Sequence, residues 1–133
     1  MTTLNDQDIA AEIAQRGLIK NGDLDQLSCA NYELRMGNVY YDLTESDRPI
    51  RLEPGDDVLV KPGHRVVLIT HEEINVPHNV LARVVSKGSL FSIGLSPVAT
   101  YADPGFSGHL GIVTQNIGDK FIVLPQLEPI AKA

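Results

Sequence analysis

Apolar and polar residues alternate along most of this chain in short bursts. From position 31 onward, runs of Val, Ile, Leu and Tyr are cut at brief intervals by Gly, Pro, Asn and Asp. This pattern predicts strands over 31–36, 38–43, 57–60, 65–70, 80–85, 97–101, 109–116 and 120–124. Their spacing suits an all-β sandwich or barrel. Residues 5–17 differ and predict a helix. Asn5 or Asp6 can cap it, Asp8 suits its first turn, Ile9, Ile13 and Ala14 share one face, and Gly17 stops it.

The breaks are explicit turns: Glu53-Pro54-Gly55-Asp56, Lys61-Pro62-Gly63-His64 and Asn116-Ile117-Gly118-Asp119. Lys61-Pro62-Gly63, followed by Arg65 to Ile69, reads as a hairpin feeding a buried strand. No repeat, low-complexity tract or linker interrupts residues 1–133, which fit one domain. The last stretch, Glu128 to Ala133, also has strand character but no evident partner. The ending reads as if a C-terminal segment were missing or supplied by another subunit.

Charge and cysteine usage narrow the function. Seventeen acids against eleven Lys plus Arg give a net charge of −6. This argues against binding to polymeric nucleic acid, which normally needs a basic face. A small phosphorylated ligand needs only one or two local cations. Cys29 is the sole cysteine, so no internal disulfide and no cysteine-based zinc site can form. No signal-peptide core and no run of membrane-span length occurs, so the sequence reads as cytoplasmic and soluble. His64, His71, His78 and His109 lack metal-ligand spacing with one another, and His71-Glu72-Glu73 lacks the second His of a helical zinc motif.

Candidate chemistry concentrates in two segments. Ser86-Lys87-Gly88-Ser89-Leu90-Phe91-Ser92-Ile93-Gly94-Leu95 is a Gly/Ser loop with one cation. Lys87 is either a solvated turn residue or a phosphate ligand, with Ser86 and Ser89 as further donors around an anion. Asp103-Pro104-Gly105-Phe106-Ser107-Gly108 carries one carboxylate and one ring in a tightly specified turn. Asp103 either closes an Asx-turn or serves as a general base that orients water. Phe106 is either a core ring or a plate beneath a sugar. Gln115 shares a strand face with Val113, pointing in or out.

These residues resemble a known family. Leu27-Ser28-Cys29-Ala30-Asn31-Tyr32-Glu33-Leu34-Arg35-Met36-Gly37-Asn38 is similar to the early strand motif of dCTP deaminases, and Asp6-Gln7-Asp8-Ile9 to their N-terminus. The Lys87 to Leu95 loop resembles their Arg-Ser-Ser-Leu-Ala-Arg-Leu-Gly-Leu, and Asp103 to Gly108, running on to Asn116, resembles their Asp-Pro-Gly-Trp-Ser-Gly hairpin and following strand. The order and spacing are those of the superfamily that dCTP deaminases share with trimeric dUTPases.

The resemblance implies a mainly β fold, a distorted barrel or jelly roll of the dUTPase-like type with a short N-terminal helix. It implies a homotrimer with nucleotide sites between subunits, dCTP or dUTP as ligand, Mg²⁺ carried on the substrate phosphates, and no zinc. It assigns water orientation to Asp103, phosphate to Lys87, a hydrogen bond to Ser89 and sugar packing to Phe106. Gly88, which lets the backbone approach a ligand closely, and Gln115 complete the expected substrate-binding residues.

Departures accompany the match. Gly88 and Ser92 stand where the deaminase loop has a Ser and an Arg. Val113 stands where the deaminases carry their proton-shuttling Glu. Loss of such a group typically costs about 10²–10⁴-fold. Against dUTPases, the apolar run His109 to Val113 and Asp103 match, but Glu33 replaces the Asp of their first motif and their Gly-rich C-terminal arm has no counterpart. The sequence therefore leaves three functions: a dCTP deaminase-like protein with an altered site, a dUTP pyrophosphatase using Asp103, or a non-catalytic nucleotide-binding or regulatory trimer.

Overall fold

A computed structural model describes residues 6–28, 31–78, 81–87, 90, 92–97 and 100–132 of the chain. The helix expected near the start is α1 (Asp6–Arg16). It ends where Gly17 adopts φ +63° and donates its N–H back to the Ile13 carbonyl at 3.2 Å, a left-handed cap that glycine enters without steric cost. Ile9 is buried and Ile13 packs on the core, while Ala14, expected on the same face, is exposed. The Asn5 cap lies outside the described residues.

Among the described residues, twelve strands follow: β1 (Ile19–Lys20), β2 (Leu27–Ser28), β3 (Asn31–Asp42), β4 (Pro49–Arg51), β5 (Val58–Val60), β6 (Arg65–Asn75), β7 (Ala82–Ser86), β8 (Leu95–Pro97), β9 (Thr100–Ala102), β10 (Ser107–Asn116), β11 (Ile122–Leu124) and β12 (Pro129–Lys132). The main sheet runs β8-β10-β6-β3-β12-β7-β9, with β1 added to β6 and with β2 and β4 added to β3. β5 and β11 form a separate ribbon. The architecture is mainly β and consistent with a distorted jelly roll; no closed barrel forms among the described residues.

Strand periodicity sets the core. In β6, Val66, Leu68, Thr70, Glu72 and Ile74 point inward, and in β10 Leu110, Ile112, Thr114 and Asn116 do. The apolar residues among these, with Leu34, Met36, Val58, Val60 and Leu95, build a mostly aliphatic core. The ladders are locally irregular. β10 slips against β6 between His109 and Gly111, and Thr70 staples the slip: its Oγ1 accepts from Leu110 N–H at 3.0 Å and donates to the Glu72 carbonyl at 2.8 Å.

Several expectations are corrected. Runs 31–36 and 38–43 are one strand, β3, with a register shift against β6 between Met36 and Tyr40. The interruption at Gly37 is a close approach rather than a turn, because a Cβ there would meet the Ile69 carbonyl at 2.8 Å. Of run 97–101, Pro97 ends β8 and Thr100 opens β9, and residues 98–99 lie outside the described residues. The Lys61–His64 turn is real, with His64 N–H donating to the Lys61 carbonyl at 3.1 Å, yet it closes no hairpin. It carries the chain from the β5–β11 ribbon into the main sheet.

The C-terminal strand is also not unpaired. β12 lies between β3 and β7, with Lys132 opposite Glu33 on one side and Val85 on the other. β12 therefore needs no second copy of the chain to pair it. Among the described residues, no helix is long and apolar enough to cross a membrane.

Candidate functional site

Asp103 to Phe106 forms a type II turn. Phe106 N–H donates to the Asp103 carbonyl at 2.9 Å, Pro104 fits the first corner position, and Gly105 takes φ +85° at the second. The turn is clamped to the end of β6: Gly105 N–H donates to the Val76 carbonyl at 2.9 Å, and Val76 N–H to that of Phe106 at 2.8 Å. The His78 ring packs on Gly105, where a Cβ would meet its Cε1 at 3.0 Å. Asp103 is exposed, and no hydrogen bond or ion pair engages its carboxylate among the described residues. Phe106 is half-buried and packs against the core.

Lys87 follows β7 and donates from Nζ to Glu33 Oε2 at 3.0 Å. Gly88 and Ser89 lie outside the described residues. The Lys87 segment and the Asp103 turn sit at opposite ends of one strand pair. Ala82 of β7 pairs with Ala102 of β9, so Asp103 lies by the start of β7 and Lys87 beyond its end. Five residue steps separate Ala82 from Lys87, about 16 Å of strand. Val113 and Gln115 form a third group on the outward face of β10, where Gln115 pairs with Ser96 and its Nε2 donates to the Gly63 carbonyl at 3.3 Å. One copy of the chain thus does not bring Lys87, Asp103 and Gln115 into a single pocket. A cleft of about 840 Å³ lies between Asn38, Arg51, Asp57, His71, His109 and Gln126, among others, and none of the described candidates Lys87, Asp103, Phe106 and Gln115 lines it.

A buried charge network that the sequence reading missed supports the Glu33 side. Glu72 is wholly buried on β6. Its Oε2 accepts from Tyr32 Oη at 2.7 Å and from Arg35 Nε at 2.8 Å, and its Oε1 accepts from Arg35 N–H at 2.9 Å. Arg35 Nη2 donates to the Asn21 carbonyl at 3.0 Å, and Asp23 N–H to Tyr32 Oη at 2.9 Å. Burial, reinforced by the bond to Glu72, pushes the Tyr32 hydroxyl up to about 12. Burial disfavours the Arg35 charge, but the hydrogen bond and charge of Glu72 outweigh it and hold the guanidinium above its ordinary value. The network pins β3 to β6 on both sides of Glu33. The sequence carried no clear signal for it, since the expected strand stopped at 70 and the continuous apolar run Val66 to Ile69 does not fix the face of the residues that follow.

A second cluster joins Asp42, Glu45 and His64, whose ligand atoms all lie within 4.8 Å of one another. His64 Nδ1 is 2.8 Å from Asp42 Oδ2, and Lys61 pairs with Glu45. That bond to Glu45 raises the Lys61 ammonium. Each carboxylate therefore already has a nitrogen partner.

The order of these segments, from α1 through the β3 motif to the Asp103 hairpin, matches a family model of dCTP deaminase-like proteins over residues 3–128. The chain belongs to the dCTP deaminase-like family.

Relatives include proteins named dCTP deaminase, dUMP-forming. That of Clavibacter michiganensis is 31% identical over 131 residues, covering 86% of this chain and 65% of the relative. That of Methanothermobacter thermautotrophicus is 30% identical over 146 residues, covering 93% and 73%. The fold is similar to the crystal structure of 2'-deoxycytidine 5'-triphosphate deaminase from Agrobacterium tumefaciens, with TM-score 0.78, 17% identity and coverage of 97% of this chain and 46% of that one. It is less similar to EIAV dUTPase, with TM-score 0.51, 22% identity and coverage of 75% and 82%. This member of the dCTP deaminase-like family thus spans just under two thirds of the Clavibacter relative and under half of the Agrobacterium chain.

Proposed function

We propose that this chain binds a pyrimidine deoxynucleoside triphosphate, dCTP first, at sites shared between copies in a homotrimer, and that it deaminates dCTP slowly. The observation that carries the reading is an intact Asp103 turn beside a β10 whose outward face presents Val113 in place of a carboxylate. The relatives' names supply the substrate and product class.

Deamination adds water at the amino-bearing carbon of cytosine and expels ammonia, which requires proton transfer at both stages. The exposed Asp103 carboxylate is free to orient the water. Val113 cannot shuttle a proton, which costs about 10²–10⁴-fold. Mg²⁺ takes hard oxygen ligands; the phosphates supply most of them, and the carboxylates of Glu33 and Asp103 are suitable oxygen donors beside the two candidate segments. The separation of Lys87 from Asp103 along β7 supports a site to which two copies contribute, one giving the cation and the other the turn.

Incubation with dCTP, dUTP and Mg²⁺, followed by product separation and by calorimetry, tests this. The expected result is nucleotide binding with little uracil nucleotide formed from dCTP. Turnover of dCTP on the order of 1 s⁻¹ or faster would overturn the slow-deamination reading. The apolar β10 with Asp103 also favours a second reading, dUTP hydrolysis, which release of pyrophosphate from dUTP would select.

A further inference from the structure

Lys87 and Glu33 are far apart in the chain and are joined through the sheet. β12 pairs with both β3 and β7, so Glu33, Lys132 and Val85 stand side by side, and Lys87 follows two residues after Val85. The contact is 3.0 Å, with side chains only 19% and 26% exposed. Glu33 does not drift, because Tyr32 and Arg35 on either side are fixed to buried Glu72. The cation expected to meet a phosphate thus already has a carboxylate partner held by the strands rather than by a loop.

A neutral pair offers a bare phosphate chain no net attraction. The anion gains Lys87, loses nothing of its repulsion from Glu33, and must also break the existing contact. A triphosphate carrying a divalent cation differs, since its metal neutralises Glu33 while its oxygens take Lys87.

Building on the nucleotide-site reading above, we propose that Glu33 is a specificity-determining residue that makes the Lys87 site reject metal-free triphosphates and accept only cation-loaded ones. Glu33 acts through charge at Lys87 and takes no part in bond making or breaking.

The test is calorimetry on the full chain in its native assembly, with inorganic tripolyphosphate and with dCTP, each in EDTA and in Mg²⁺. Wild type is expected to bind both ligands in Mg²⁺ and far more weakly in EDTA. Glu33→Gln is expected to bind them in EDTA about tenfold tighter than wild type and to gain much less from Mg²⁺ than wild type does. Adding Lys87→Ala to Glu33→Gln is expected to erase the gain. If Glu33→Gln does not fold, Glu33→Asp, one methylene shorter, is expected to loosen the contact and give a smaller gain of the same sign.

The proposal is overturned if wild type binds and neither Glu33 variant binds metal-free ligand more tightly, or if the gain survives loss of Lys87. Absence of binding by every variant, with and without Mg²⁺, overturns instead the nucleotide-site reading on which it rests.

Discussion

Arg35 Nε donates to Glu72 Oε2 at 2.8 Å, and Glu72 is entirely removed from solvent. A buried carboxylate persists only because Arg35 and Tyr32 satisfy it. Replacing Glu72 by Ala strands the guanidinium and is expected to cost about 3–5 kcal/mol, read as a lowered urea midpoint. A loss below about 1 kcal/mol would mean that the network relaxes around the missing group.

Tyr32 makes that network sensitive to alkali. Its folded value, near 12, lies above the ordinary 10.0. Below pH 10 both folded and unfolded chains hold the proton and stability does not change on this account. Between about pH 10 and 12 the unfolded chain releases it first, so stability falls as pH rises, by up to about 1.4 kcal/mol per unit. Denaturation midpoints from pH 9 to 11 should therefore fall more steeply for wild type than for Tyr32→Phe; equal slopes would show that the hydroxyl ionises freely.

Gly105 is constrained twice, by φ +85° and by His78. Gly105→Ala is expected to destabilise by about 1–2 kcal/mol from the backbone alone, and further from the clash. Adding His78→Ala should recover the clash and not the backbone part. A double-mutant cycle with no coupling would mean that the ring moves aside at no cost.

Val113 is outward and 42% exposed. Val113→Glu should change stability by less than about 0.5 kcal/mol. It is expected to raise dCTP deamination, but by less than the 10²–10⁴-fold typical of a full acid–base residue, since Gly88 and Ser92 still depart from the family loop. No change in product formation would place the missing proton transfer elsewhere.

Lys87 and Asp103 occupy opposite ends of the β7–β9 pair. If sites are shared between copies, Lys87→Ala and Asp103→Asn assemblies each bind triphosphate poorly, whereas co-refolded mixtures regain a fraction of intact sites. Mixed assemblies that stay as weak as either parent would place both residues in the site of one copy.

Much of this was legible in the sequence because it depends on local chemistry. Strand periodicity, the helix ended by Gly17, the Pro-Gly turns and the order of the family segments all follow from neighbours a few positions apart. Buried Glu72 was not legible, because the expected strand stopped at 70 and the continuous apolar run Val66 to Ile69 does not fix which later residues turn inward. What the sequence alone could not decide is pairing across the sheet. Alternation is blind to partners, so Glu128 to Ala133 read as a strand without a neighbour, whereas β12 fills the gap between β3 and β7. Only that placement brings Glu33 to Lys87. Only the antiparallel register of β7 with β9 moves Lys87 away from Asp103, because each step along one strand is a step backward along its partner.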